Sequence, residues 1–164
     1  ECWRLSADVR SERAPSVQWQ GNFTLSKNEF KGKTKIGLIA GGTGITPCYQ
    51  IIQAVLNNND TPTVSLVFGN RTTNDILLKE ELLSYAENHK GKFKLFLTVD
   101  QKPHESEDWK MGVGFITQEM LMKNMPAPSP ETLICYCGPP PFEAMMKEHL
   151  EAMGYDPRGM IFKF

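Results

Sequence analysis

The most constraining feature of the sequence is a buried-strand pattern that stops at a cluster of glycines and resumes as a helix pattern. An apolar run from Ile36 to Ala40 ends at the sequence GGTG, residues 41–44. Amphipathic spacing then begins just after Pro47. A strand pattern, followed by consecutive glycines and then by a helix pattern, indicates a strand that turns sharply into a helix.

Such a junction suits a phosphate group. Glycines let the backbone approach an anion closely, while the free N–H groups and the positive dipole end of the following helix attract it. Thr43 and Thr46 add hydroxyl groups, and Pro47 fits an early helical position where a missing N–H costs nothing. A nucleotide or dinucleotide site is therefore one interpretation. A glycine-rich turn without a ligand is the other, because such turns are common.

Known phosphate loops match this stretch only in part. No lysine follows Gly44, which argues against a Walker loop of the ATPase type. The dinucleotide fingerprint G-x-G-x-x-G is met by Gly42 and Gly44, but Pro47 stands at the third glycine position. We therefore expect a variant of the dinucleotide site.

Length and charge exclude several classes of protein. With 164 residues, 40% of them hydrophobic, the chain can build one good core and one domain. A formal net charge of -1 gives no electrostatic footprint for nucleic acid or an acidic membrane surface. No apolar run approaches the roughly 20 residues of a membrane span, and the first residues lack a signal-peptide core. We expect a soluble, cytoplasmic protein, with any membrane association carried by parts outside this sequence.

The cysteines favour neither a metal site nor a disulfide framework. Four cysteines, at positions 2, 48, 135 and 137, form no C-x-x-C pair. This spacing favours a reducing compartment and predicts no metal site.

From Ile36 onward strand and helix patterns alternate. Strands are predicted at 36–40, 63–69, 93–99, 131–137 and 160–164, and helices after Pro47, at 76–89, from a Thr117 cap to Pro126, and at 140–153. This alternation predicts an α/β fold, a Rossmann-like parallel sheet with helices on both faces. Upstream, residues 1–20 are predicted as a tail or the remnant of another segment, and Asn22 to Leu25 as a short strand.

Ligands of such sheets bind beyond the carboxyl ends of the strands, where the strand order reverses. Every candidate stretch lies at such an end: 41–46, 69–72, Asp100 and 137–141. The last of these, CGPPP, gives the strand a stiff exit that would hold Cys137 and Phe142 in fixed positions. Both residues also have a purely structural interpretation, Cys137 as a small buried hydrophobe and Phe142 as a core anchor of the last helix.

Five motifs together carry a resemblance to a known family. GGTGITP at 41–47, FGNRTTNDILL at 68–78, TVD at 98–100, GVGFIT at 112–117 and CGPPP at 137–141 occur in the family's order and spacing. Residues 21–164 resemble the pyridine-nucleotide-binding half of the ferredoxin reductase superfamily. Within it, they resemble NADH-cytochrome b5 reductase and the C-terminal module of assimilatory nitrate reductase.

The resemblance implies a role for each matching position. Residues near the glycine loop would bind the dinucleotide, and Thr46 would face the flavin and nicotinamide. Asp100 would favour NADH, since a carboxylate accepts hydrogen bonds from a ribose 2′-OH but repels a 2′-phosphate. Phe115 would lie against the adenine, and Cys137 beside the nicotinamide. Phe142 replaces the family's usual methionine. The implied cofactor-binding residues are Gly41, Gly42, Thr43, Gly44, Pro47, Asn70, Arg71, Asp100, Phe115, Gly138, Pro139 and Phe142, with Cys137 and Thr46 as the catalytic pair.

The implied chemistry is hydride transfer from NADH to FAD, followed by single-electron transfer to a haem protein such as cytochrome b5. Cofactors carry this chemistry and the protein supplies position and electrostatics, so no general base is required. In the family an upstream β-barrel holds the flavin, and its motifs are absent from residues 1–34. The sequence therefore resembles the NADH half alone, which we expect to be inactive by itself.

Two alternatives remain open from the sequence. Arg71 follows the second strand, where a Rossmann-type site places the partner of a 2′-phosphate, so NADPH competes with NADH. A non-catalytic nucleotide-binding or docking module that kept the fold and lost the flavin is the second alternative.

Overall fold

A single parallel sheet of six strands is built by the residues that a computed structural model describes, 32–57, 62–101 and 108–164. The strands run in the order β4-β3-β2-β1-β5-β6. Their bounds are β1 Lys35–Gly41, β2 Thr63–Asn70, β3 Phe93–Val99, β4 Gly112–Val113, β5 Thr132–Cys137 and β6 Ile161–Lys163. All neighbouring pairs are parallel, which confirms the predicted sheet.

Helices cover both faces of this sheet, as predicted. They are α1 Ile45–Asn57, α2 Lys79–Asn88, α3 Gln118–Asn124 and α4 Pro140–Ala152. The buried residues of α1 and α2 belong to one core cluster, and those of α3 and α4 belong to the other. Side chains of β1 alternate between the two, since Leu38 joins the first cluster and Ile39 the second.

The order of the strands places a topological switch point beside β1. From β1 the chain moves outward through β2, β3 and β4, and it then returns to place β5 on the opposite side of β1. Helices that leave β1 and β5 therefore pack on opposite faces, and the carboxyl ends of these two strands border an opening between them. Ligands of open α/β sheets bind at such a position.

Two local elements differ from the sequence predictions. The helix predicted at 76–89 begins only at Lys79, because the side chains of Thr72 and Asp75 cap a separate 3-10 turn, Thr73–Asp75. Leu78 then takes a left-handed conformation with φ of 57°, which redirects the chain into α2. The short strand β4 was not predicted, since two residues carry no periodicity. By contrast, the Thr117 cap is confirmed, its hydroxyl accepting a hydrogen bond from the Met120 amide at 3.2 Å.

The predicted tail, residues 1–20, and the predicted strand from Asn22 to Leu25 lie outside the described residues. Among the helices of the described part, none is both long and apolar enough to cross a lipid bilayer.

Candidate functional site

The glycine-rich junction folds as a tight turn at the carboxyl end of the central strand. β1 ends at Gly41, a 3-10 turn covers Gly42–Gly44, and α1 starts at once with Ile45. Gly42 has φ of +54°, and a Cβ atom built on it would meet nothing within 4 Å. The Thr46 hydroxyl donates to the Thr43 carbonyl oxygen at 3.1 Å, which ties the turn to the first turn of the helix. The amino end of α1 thus opens next to an unobstructed stretch of backbone, the arrangement that binds anions.

Gly44 brings this turn into direct contact with the exit of β5. A Cβ atom built on Gly44 would lie 2.2 Å from the Cys137 carbonyl oxygen and 3.0 Å from the Gly138 amide nitrogen. Even a methyl group would collide with this backbone, so the approach requires glycine. Two predicted stretches almost a hundred residues apart therefore meet at the switch point.

The Phe142 ring contacts two strand ends, that of β1 at Gly41 and that of β5 at Gly138. A Cβ atom on Gly138 would lie 2.4 Å from Cδ1 of Phe142, and a Cβ atom on Gly41 would lie 3.0 Å from its Cδ2. The ring also packs against the second core cluster, which agrees with the structural interpretation of this residue. Pro139 stands at the N-cap position of α4, so the stiff exit predicted from the prolines leads directly into the helix.

Asn70, the last residue of β2, is a buried polar residue whose side chain has no partner among the described residues. It is 6% exposed, and neither its Oδ1 nor its Nδ2 atom makes a hydrogen bond. By strand alternation it shares a face with Leu66 and Phe68, which is the side of α1, and β2 lies beside the 3-10 turn. A buried amide without partners is costly, and native sites of this kind are completed by a ligand or water.

Asp100 and Arg71 lie on neighbouring strand ends. The Asp100 amide donates to the Asn70 carbonyl oxygen at 2.9 Å, and the Gln101 amide donates to the Arg71 carbonyl oxygen at 2.9 Å. Partial loss of hydration raises the pKa of the exposed Asp100 carboxyl, while the Arg71 guanidinium lowers it. Asp100, predicted to favour NADH, and Arg71, predicted to favour NADPH, therefore interact electrostatically at this edge of the sheet.

Phe115 follows β4 at the same edge of the sheet. It is 69% exposed, which is unusual for an aromatic side chain. Its backbone is held nearby, because the Thr98 hydroxyl donates to the Gly114 carbonyl oxygen at 2.7 Å and the Gly114 amide donates to the Val99 carbonyl oxygen at 2.8 Å. A flat ring presented on a fixed backbone suits stacking against an aromatic base.

Cys137 lies half-buried at the end of β5 and is surrounded by charges that the sequence analysis missed. Burial raises the pKa of the Cys137 thiol, the Glu143 carboxylate raises it further, and the Lys163 ammonium lowers it. The thiol is therefore neutral at neutral pH. No sequence signal marks Glu143 or Lys163, since they are 20 residues apart and their contact depends on the placement of β6 beside β5.

The predicted residues thus lie at or next to the carboxyl ends of the strands, in two groups. The glycine turn, Thr46, Asn70, Cys137, Gly138 and Phe142 surround the switch point, while Arg71, Asp100 and Phe115 lie toward β4. No group of histidine, cysteine or acidic side chains within the described part could hold a metal ion.

Comparison with protein families gives a match over most of this region. The sequence model of the oxidoreductase NAD-binding domain family matches residues 38–148. The chain belongs to this family. The matched stretch of this NAD-binding domain includes the glycine turn, Asn70, Asp100 and Cys137, and it confirms the resemblance drawn from the five motifs.

Individual relatives agree with the family. NADH-cytochrome b5 reductase 1 of Mycosarcoma maydis is 47% identical over 150 residues, covering 91% of this chain and 43% of that protein. The Arabidopsis thaliana protein of the same name is 42% identical, covering 88% of this chain and 50% of its own length. In structure, the NAD-binding domain resembles the cytochrome b5 reductase domain of Ulva prolifera nitrate reductase, with a TM-score of 0.75, 36% identity, and coverage of 80% and 50%. The chain spans about half the length of these relatives.

Proposed function

We propose that this NAD-binding domain is the NADH-binding module of a flavoprotein reductase of the cytochrome b5 reductase type. Relatives of that name, and a matching domain of a nitrate reductase, support this proposal. Because the chain spans about half of each, the proposal assigns it the coenzyme-binding part of the reaction. A flavin-binding lobe, and a haem protein such as cytochrome b5 as electron acceptor, belong to the proposed whole.

The contact between Gly44 and the Cys137 backbone is the observation that carries the proposal. It brings the start of α1 next to the backbone of the half-buried Cys137, with 2.2 Å between a Gly44 Cβ position and the Cys137 carbonyl oxygen, and we propose that the coenzyme groove lies along this contact. Asn70 adds a buried amide, without a hydrogen-bond partner among the described residues, at the end of the strand beside the glycine turn. A dinucleotide needs these features together, since its diphosphate and its nicotinamide ring lie close along one molecule.

Each residue then has a task in holding the coenzyme. The backbone N–H groups of Gly42 and Thr43 would bind the diphosphate, and the Nδ2 of Asn70 would donate to one of its oxygens. Thr46 and Cys137 would flank the nicotinamide, and Phe115 would stack on the adenine. NADH held at this position would supply a hydride for a flavin, and single-electron transfer to a haem protein would follow in the proposed whole. The residues of this chain would orient the ring and exclude water, a task for which a half-buried, neutral Cys137 thiol is suited.

We also propose a preference for NADH. Asp100 would accept hydrogen bonds from the ribose hydroxyls, and its negative charge would repel a 2′-phosphate. Arg71 favours the opposite, but the neighbouring carboxylate offsets part of its positive charge, since the two groups interact. Loss of the carboxylate should therefore shift the preference toward NADPH.

Dissociation constants of NADH and NADPH for the wild type and for Asp100→Thr test both proposals. We expect NADH to bind more tightly to the wild type and the preference to fall about tenfold in the variant. Asp156→Thr is the matched control, because Asp156 lies in the turn before β6, at the opposite edge of the sheet. If Asp100→Thr leaves the preference for NADH over NADPH unchanged, Asp100 does not determine the coenzyme specificity. A coenzyme titration that leaves the amide resonances of Gly42, Asn70 and Gly138 unmoved, even with the flavin-binding lobe present, would refute the proposed function itself.

A further inference from the structure

Two charged residues with no assigned task flank Cys137. The Glu143 carboxylate lies in the first turn of α4 and the Lys163 ammonium lies on β6, with 2.5 Å between Oε2 and Nζ. The Glu143 side chain is only 15% exposed, whereas that of Lys163 is 56% exposed. An exposed pair contributes little, but a carboxylate this buried needs a partner, because removal from water is costly for an isolated charge.

The backbone places this pair around the end of β5. Lys163 is the register partner of Tyr136, the residue before Cys137, and the Phe164 amide donates to the Tyr136 carbonyl oxygen at 3.2 Å. Glu143 follows Cys137 by only six residues, separated from it by the stiff CGPPP corner. The ion pair therefore links the strand on one side of Cys137 to the helix that leaves it.

The two charges also act on the thiol in opposite senses. Glu143 raises the pKa of Cys137 and Lys163 lowers it, while burial is the largest contribution. On the side of α1 the nearby titratable group is Cys48, which is fully buried and therefore neutral. The pair leaves little net charge next to the thiol, so neither ionisation nor strong hydration of Cys137 is favoured within the groove.

We propose that the Glu143–Lys163 ion pair is a positioning device that fixes Cys137 in the coenzyme groove and balances the charge around its thiol. The part of this inference that concerns the nicotinamide rests on the proposed function. Neither residue contacts the coenzyme in this proposal, and both act through Cys137 and the first turn of α4.

The rate of alkylation of Cys137 by iodoacetamide tests the pair, measured from neutral to alkaline pH in the chain carrying Cys2→Ser. Glu143→Gln leaves the ammonium unopposed and should increase the rate at neutral pH about two- to fivefold, since the thiolate is the reactive form. Lys163→Met leaves the carboxylate unopposed and should decrease the rate by a similar factor. The double variant should return close to the wild-type rate, and Cys137→Ser measures any background from Cys48 and Cys135.

Opposite effects of the two single variants on the alkylation rate distinguish this proposal from a purely structural role. If the pair only held β6 in place, both single variants would loosen the corner and both would react faster, which would overturn the proposal. Lys163 is largely exposed, so Lys163→Met tests the sign even if Glu143→Gln fails to fold, and Lys163→Arg should restore the wild-type rate. Protection of wild-type Cys137 from alkylation by bound NADH is a separate measurement. Lack of protection would count against the proposed function, while the signs of the two variants would still decide the role of the ion pair.

Discussion

At the scale of single residues, the glycines of the first turn are required for different physical reasons. Gly42 has a positive φ in open space, so Gly42→Ala should cost about 1 kcal/mol of stability through backbone strain alone. Gly44→Ala would place a methyl group 2.2 Å from the Cys137 carbonyl oxygen and should cost about 3 kcal/mol or more. Urea unfolding of the two variants checks the difference. Equal losses of unfolding free energy would mean that the contact between the glycine turn and the end of β5 adjusts easily to a methyl group.

Asn70 is a residue that we expect to reduce stability for the sake of binding. Asn70→Leu removes a buried amide that has no hydrogen-bond partner in the described part of the chain, so the free energy of unfolding of the free protein should rise by about 1 kcal/mol. Affinity for NADH should fall about tenfold, because the leucine offers no hydrogen bond to the diphosphate.

Thr98→Val provides the comparison for Asn70→Leu. Thr98 is also buried, but its hydroxyl already donates to the Gly114 carbonyl oxygen, so this variant should lose about 1 kcal/mol of stability. Urea unfolding and coenzyme titration measure both effects. A loss of stability in Asn70→Leu as large as that in Thr98→Val would show that the amide of Asn70 has partners within the protein.

At the scale of elements, β4 depends on the absence of a side chain at Gly112. A Cβ atom there would lie 2.8 Å from Oγ1 of Thr98 and 2.9 Å from Cζ of Phe96, so Gly112→Ala should separate β4 from β3. Hydrogen exchange of the Gly114 amide should become faster, since its bond to the Val99 carbonyl oxygen would open. NADH affinity should fall about three- to tenfold as Phe115 loses its fixed position.

Val113→Ala is the matched control on the same strand. Val113 is 47% exposed, and its truncation removes no backbone contact, so exchange of the Gly114 amide should stay slow. If Gly112→Ala leaves this amide equally protected, β4 does not require glycine and the adenine side of the groove is held by other contacts.

At the scale of the whole molecule, buried cysteine and tyrosine side chains predict a loss of stability at alkaline pH. Burial raises the pKa of the Cys48 thiol well above its ordinary value of 9.0, and that of Tyr155 is raised above 10.0 for the same reason. Above pH 9.0 the unfolded chain releases protons that the folded chain retains, so the contribution of these groups to stability should be constant below this pH and fall above it.

Cys48→Ala isolates one part of this effect. The variant should lose about 1–2 kcal/mol at neutral pH through the cavity it creates. Its alkaline slope should be shallower by about 1.4 kcal/mol per pH unit, because one titrating group is gone. Ile52→Val, one helical turn away and also buried, should lose stability without a change of slope. Urea unfolding at a series of pH values under reducing conditions measures both, and equal slopes in wild type and Cys48→Ala would contradict the prediction.

Comparison of the predictions with the structure shows that local pattern determined most of the elements. The apolar run of β1, the leucine spacing of α2 and the Thr117 cap depend on residues close in sequence, and the structure confirms them with shifts of a few residues at their ends. The α/β sheet followed from their alternation. Leu78 was the exception within a helix pattern, because it takes a left-handed conformation after the capped turn Thr73–Asp75, and the helix starts only at Lys79.

Periodicity and backbone chemistry along the chain were therefore enough to predict the fold class, the glycine turn and the set of strand ends where we propose a ligand. The three-dimensional structure was needed to show that Gly44 touches the Cys137 backbone, that the buried Asn70 amide has no hydrogen-bond partner among the described residues, and that Glu143 pairs with Lys163. Each of these depends on the order of the strands in space. That order joins residues from 20 to almost a hundred positions apart, and no local pattern records it.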